Sequence, residues 1–107
     1  MKRSTLVATA LTVCLCGPMG SPLAETLKIG ALLSLTGNWS NLGRSSALIM
    51  QMAEGDINDY LRSHAASYRI KVEVADTALD PGLAVTKYNA LVGHGAFAMV
   101  GPQSSSE

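Results

Sequence analysis

Leu27-Lys28-Ile29-Gly30-Ala31-Leu32-Leu33 runs directly into Ser34-Leu35-Thr36-Gly37-Asn38-Trp39-Ser40-Asn41-Leu42-Gly43, and this junction decides the fold. The first segment is short and apolar with one charge near its start, the pattern of a strand covered on both faces rather than one alternating between core and water. The second is rich in Ser, Thr, Asn and Gly and therefore reads as a turn. Beyond it Met50, Ala53, Ile57 and Leu61 recur at three- and four-residue spacing, which predicts an amphipathic helix from about Gly43 to Arg62. A buried strand that passes through a polar loop into a long helix opens a parallel α/β unit.

Toward the C-terminus the pattern repeats. Ser63 to Ser67 makes a link, and in Tyr68 to Asp76 the apolar Ile70, Val72 and Val74 alternate with charged residues, a strand with one wetter face at or near a sheet edge. Asp80-Pro81 has the form of an N-cap with proline at the first helical position. A second helix to about Val92 follows, with Leu83, Ala84, Tyr88 and Leu91 on one face and Gly93 as C-cap. Ala96 to Val100 is a third strand, apolar on both faces. Strand, helix, strand, helix, strand with no hairpin signal predicts a doubly wound parallel α/β sheet in the order 2-1-3.

Toward the N-terminus, Met1-Lys2-Arg3 is positive, Leu6 to Cys16 is an apolar run too short to cross a bilayer, and Gly17 to Ala24 is small and proline-containing. This is the pattern of a secretory signal peptide over residues 1–24, cleaved after Ala24, and it predicts an exported, periplasmic product beginning at Glu25. Both cysteines, Cys14 and Cys16, fall inside that segment and give the mature chain neither disulfide nor thiolate site. A lipid-anchored cysteine is the competing arrangement, disfavoured by Val13 and Leu15 just before the two cysteines. Eight Lys and Arg balance eight Asp and Glu in the 107 residues, and the loss of Lys2 and Arg3 leaves the mature segment two charges negative. No field gathers nucleic acid or anionic lipid.

In an open parallel sheet, ligands bind outside the carboxyl ends of the strands, beside the point where strand order reverses. Ser34 to Gly43, Asp76 to Ala78 and Gly101 to Ser106 meet at that edge. Ser104, Ser105 and Ser106 follow Gly101-Pro102 and look like the start of a third helix. Its backbone N–H groups and hydroxyls suit a carboxylate or phosphate, although capping alone explains serines there at least as well. Trp39 stands in a polar loop, either covering an apolar ligand group or packing over the sheet edge. Asp76 can hold an ammonium, but an aspartate in this place more often bonds turn backbone. His64 and His94 fall in surface connections. No nucleophile elbow, metal-spaced cluster, Gly-x-Gly-x-x-Gly or Walker loop is present. The sequence thus offers no support for a general acid/base, metal or cofactor site.

Lys28 to Gly37, Gly43, Gln51-Met52-Ala53 with Asp56-Ile57-Asn58, Glu73 to Thr77 with Asp80-Pro81, and Val100 to Ser106 together resemble the N-terminal lobe of the branched-chain amino-acid-binding family. These are type I periplasmic solute receptors of ABC importers. The resemblance implies that residues 25–107 form an incomplete N-terminal lobe whose ligand is closed in by a C-terminal lobe absent from this sequence. It implies a small-molecule ligand, an amino acid or similar, and a membrane permease as partner. It gives the α-carboxylate contact to Ser104, with Ser105 beside it, and makes Trp39 and Leu42 neighbours of the ligand side chain. Two departures bear on specificity. Leu79 and Gln103 stand near positions that some members join by a disulfide, and Tyr60 to His64 replaces the family's Gly-Gly turn, so amides, urea or short peptides stay open as ligands. The same fold also serves extracytoplasmic sensor domains of signalling proteins, the alternative to import.

Overall fold

The computed structural model describes residues 23–107; the expected signal peptide lies, but for its last two residues, outside the described residues. Five elements follow in the expected order: β1 (Glu25–Leu33), α1 (Ser40–Ser63), β2 (Tyr68–Asp76), α2 (Pro81–Gly93) and β3 (Ala96–Val100). The sheet is parallel with order β2-β1-β3. The first crossover steps from β1 outward to β2 and the second steps back past β1 to β3. With right-handed crossovers this reversal puts α1 and α2 on opposite faces. The α/β class and doubly wound 2-1-3 topology expected from the sequence are thus what the chain adopts.

β1 pairs with β2 from Glu25↔Tyr68 to Leu33↔Asp76 without a break. Its carboxyl half carries the core, with Ala31, Leu32 and Leu33 each at most 3% exposed, while Glu25 and Thr26 at its start are in water. β1 meets β3 through Lys28↔Ala96 and then Ile29↔Ala98, so Phe97 is a bulge residue. β3 was expected to be covered on both faces. Among the described residues it is paired on one side only, and Phe97, at the bulge, is 78% exposed.

The inner face of α1 differs from expectation by one residue in phase. Gly43 and Leu61 are buried, and Ala47, Met50, Glu54 and Asn58 are half-buried, whereas Ala53 and Ile57 are exposed. Two polar residues sit inside because the outer edge of β2 needs partners. Asn58 Oδ1 accepts from Ile70 N–H at 2.8 Å and Asn58 Nδ2 donates to Ile70 O at 2.9 Å. Glu54 Oε2 accepts from Val72 N–H at 2.8 Å while Lys71 Nζ donates to Oε1 at 3.1 Å. Helix side chains therefore occupy the free edge of the sheet, which would otherwise pair with another strand. The helix also begins earlier than Gly43, at Ser40.

α2 opens as its sequence dictates. Asp80 Oδ1 accepts from Leu83 N–H at 2.6 Å with Pro81 in the first turn. Ala84 and Leu91 are buried, and Tyr88, one turn from each on the same face, is 46% exposed. Gly93 does not end the helix as a left-handed cap: His94 is the cap residue, and Gly95, with φ +86°, takes the left-handed turn into β3.

Candidate ligand-binding edge

Three connections leave the carboxyl ends of the strands, and hydrogen bonds fasten them to one another. Asp76, the last residue of β2, is the first organiser. Its Oδ1 accepts from the backbone N–H of Leu35 at 2.8 Å, Thr36 at 3.3 Å and Ala78 at 2.9 Å, and its Oδ2 accepts from the Thr36 hydroxyl at 2.6 Å. Burial pushes its carboxyl up, but the Thr36 hydroxyl and the three backbone N–H groups outweigh that and hold it below the ordinary aspartate value. Asp76 thus serves the turn backbone, the commoner role of an aspartate in this place, and its lone pairs are committed to the loop after β1 and to Ala78. The Ala78 bond closes an Asx turn that carries Ala78 and Leu79 through φ +51° and +60°.

Beneath these loops Ser34 Oγ and Thr77 Oγ1, both fully buried, lie 3.3 Å apart as a hydrogen-bonded pair. Above them α1 begins with no clearance. A Cβ on Gly43 would lie 2.0 Å from Ser34 O, so only glycine lets the helix backbone approach the strand end this closely. Gly101 is in the same position on the other side: its φ is +97°, and a Cβ there would lie 2.4 Å from Leu32 O.

The segment after β3 is a turn, with Glu107 N–H donating to Ser104 O at 3.3 Å. Within it a single i to i+3 bond closes one turn that starts at Ser104. Ser104 Oγ and Ser106 Oγ are 2.7 Å apart, and Ser104 Oγ also accepts from Ser106 N–H at 3.2 Å, while Ser105 is exposed at the turn. Trp39 occupies the position before α1, makes no side-chain cap bond and is 42% exposed; Leu42, in the first turn, is 52% exposed. The four residues singled out from the sequence therefore all stand at this edge of the sheet, with Ser104 partly covered and the other three open.

Gln103 escaped the sequence reading as a functional position. Its amide bonds both the end of β1 and α1, at Ser34 and Ser46. No short-range pattern signals such a bridge. The residue's place directly before three serines was the only available hint. Among the described residues there is no group of three metal-ligating side chains, and no helix is long and apolar enough to cross a membrane.

A parallel sheet of order β2-β1-β3 brings its first and third loops to the switch point, where open α/β sheets bind ligands. Residues 26–107 match the periplasmic binding protein family, and the chain belongs to that family. A relative is the uncharacterized protein MJ1266 of Methanocaldococcus jannaschii, 33% identical over 83 residues, a stretch covering 78% of this chain and 20% of that protein. The chain spans about a fifth of the length of this curated relative. The resemblance drawn from the sequence motifs holds at the level of the family.

Proposed function

We propose that residues 25–107 form part of the first, N-terminal ligand-binding lobe of an exported receptor. It takes up a branched-chain or related amino acid outside the cytoplasmic membrane and delivers it to the permease of an ABC importer. Residues 1–24 act as the signal peptide, and the receptor carries out no chemistry on its ligand. The observation that supports this most directly is the serine turn after β3, held against the loop after β1 at the sheet's carboxyl edge. In this reading Ser104 and Ser105 receive the ligand carboxylate through hydroxyl and backbone N–H groups. The Ser106 contact holds the Ser104 hydroxyl in place, and Ser105 offers the more accessible one. Trp39 and Leu42 lie where an apolar ligand side chain gains by leaving water. A second lobe closes from the opposite side and supplies the ammonium contacts, because one open edge buries too little of a small ligand to hold it.

The test is calorimetric titration of the full-length protein with L-leucine, L-isoleucine and L-valine, repeated on Ser104→Ala and Ser105→Ala. Loss of a charge-assisted hydrogen bond weakens binding by about tenfold or more in at least one variant. Unchanged affinity in both variants refutes the assignment of the carboxylate to this turn.

A further inference from the structure

Ser34, the first residue past β1, has a backbone N–H that no neighbouring strand receives. It donates instead to Gln103 Oε1 at 3.0 Å. The other end of the same amide, Gln103 Nε2, donates to Ser46 Oγ in α1 at 2.8 Å. The orientation of the amide is fixed by chemistry: a backbone N–H can only donate, so the oxygen must face Ser34 and the nitrogen is left for the serine hydroxyl. One side chain thereby joins the end of β1, the second turn of α1 and the segment after β3. It does so where the backbones already touch, Gly43 against Ser34 O on one side and Gly101 against Leu32 O on the other. The contact is partly shielded from water, so the bonds compete with solvent less than surface bonds do. Gln103 is also the residue directly before Ser104, and fixing its side chain fixes where the serine turn starts.

We propose that Gln103 is a positioning residue whose amide locks the serine turn to the loop after β1 and to α1, so that the three move as one rim. Its effect on affinity rests on the solute-binding function proposed above. A rim fixed before the ligand arrives need not be ordered by it, and that ordering is a cost deducted from binding.

The test uses the full-length protein with three substitutions. Gln103→Met removes both bonds at similar volume. Gln103→Glu keeps an acceptor for Ser34 N–H and lets the Ser46 hydroxyl donate in return. Ser46→Ala removes only the second bond and serves should Gln103→Met fail to fold. Hydrogen–deuterium exchange is read without any solute on the peptide covering residues 32–37, with a peptide from α2 as the control for an intact fold. In Gln103→Met one amide of that peptide exchanges about tenfold faster, in Ser46→Ala about threefold faster, and in Gln103→Glu at nearly the original rate, with α2 unchanged throughout. Wild-type rates in both Gln103→Met and Ser46→Ala overturn the proposal. So does a Gln103→Glu variant as fast as Gln103→Met, since two-bond geometry would then not be what matters.

L-Leucine, L-valine and acetamide are then titrated into wild type and Gln103→Met, with affinity expected to fall about tenfold in the variant. A probe that binds both equally while the amide is freed overturns the positioning role. If no probe binds wild type, the solute-binding function fails for these ligands, and the lock is judged on the exchange rates alone.

Discussion

Replacing Asp76 by alanine removes the acceptor for four donors: the N–H groups of Leu35, Thr36 and Ala78 and the Thr36 hydroxyl. The two Thr36 donors are exposed and find water when the carboxylate goes, so they contribute little to the loss. The Leu35 and Ala78 N–H groups are partly buried, and each loses a bond to a charged acceptor. At about 1.5 kcal/mol apiece, the low end for such bonds, the variant is destabilised by about 3 kcal/mol. Asp76→Asn keeps Oδ1 for the backbone but loses the charge and puts an amide donor in place of Oδ2, so the exposed Thr36 hydroxyl must accept instead of donate, for about 1 kcal/mol. Urea unfolding of the full-length protein at neutral pH reads both values from the midpoints at constant slope. An alanine variant within about 0.5 kcal/mol of wild type, or an asparagine variant as weak as alanine, refutes the argument that this carboxylate organises the edge. The pH dependence has a fixed sign. The folded-state pKa of Asp76 is lowered, so its stabilisation is fully present above the unfolded value of about 3.9 and is lost as pH falls through the folded one. Wild type therefore loses more stability on acidification than Asp76→Asn does.

Further outcomes follow from the same geometry. Gly43→Ala forces a Cβ to 2.0 Å from Ser34 O and costs about 3 kcal/mol, whereas Gly55→Ala, with nothing within 4 Å of its Cβ, raises stability by up to about 1 kcal/mol; thermal unfolding of the pair checks both. Asn58→Ala strips the partners from Ile70 N–H and Ile70 O and costs about 2 kcal/mol in urea, accompanied by faster amide exchange along β2. Glu54→Gln lowers the acid sensitivity of the fold. The Val72 N–H bond, opposed by burial and helped by Lys71, holds the Glu54 carboxyl below its ordinary value, and that stabilisation disappears as pH falls through the folded pKa.

What the sequence disclosed and what it withheld separate along sequence distance. β2 and β3 carry the bounds expected of them because apolar alternation, flanking turn residues and the Asp80-Pro81 cap are all local signals. The order 2-1-3 followed from the absence of hairpins and the preference for right-handed crossovers. The phase of α1 did not follow, because periodicity assigns Ile57 to the core and cannot know that the open edge of β2 demands Asn58 and Glu54. Those bonds join residues 12 and 18 positions apart. The turn after β2 was equally hidden: Ala78 and Leu79 adopt positive φ without the glycine or asparagine that usually announces it. Motifs placed Ser104, Ser105, Trp39 and Leu42 near the carboxyl edge of the sheet, and that is where they stand. Gln103, whose bridges span 69 and 57 positions, became visible only when three loops were brought to one edge.

The most direct test of the central claim is equilibrium binding of the full-length protein, by calorimetry, to each of the twenty amino acids and to acetamide and urea. One molecule binds per protein for at least one of these solutes, weakened by Ser104→Ala or Ser105→Ala and left intact by a distant change such as Gly55→Ala. No binding to any of them at millimolar concentration, or binding indifferent to both serines, contradicts it.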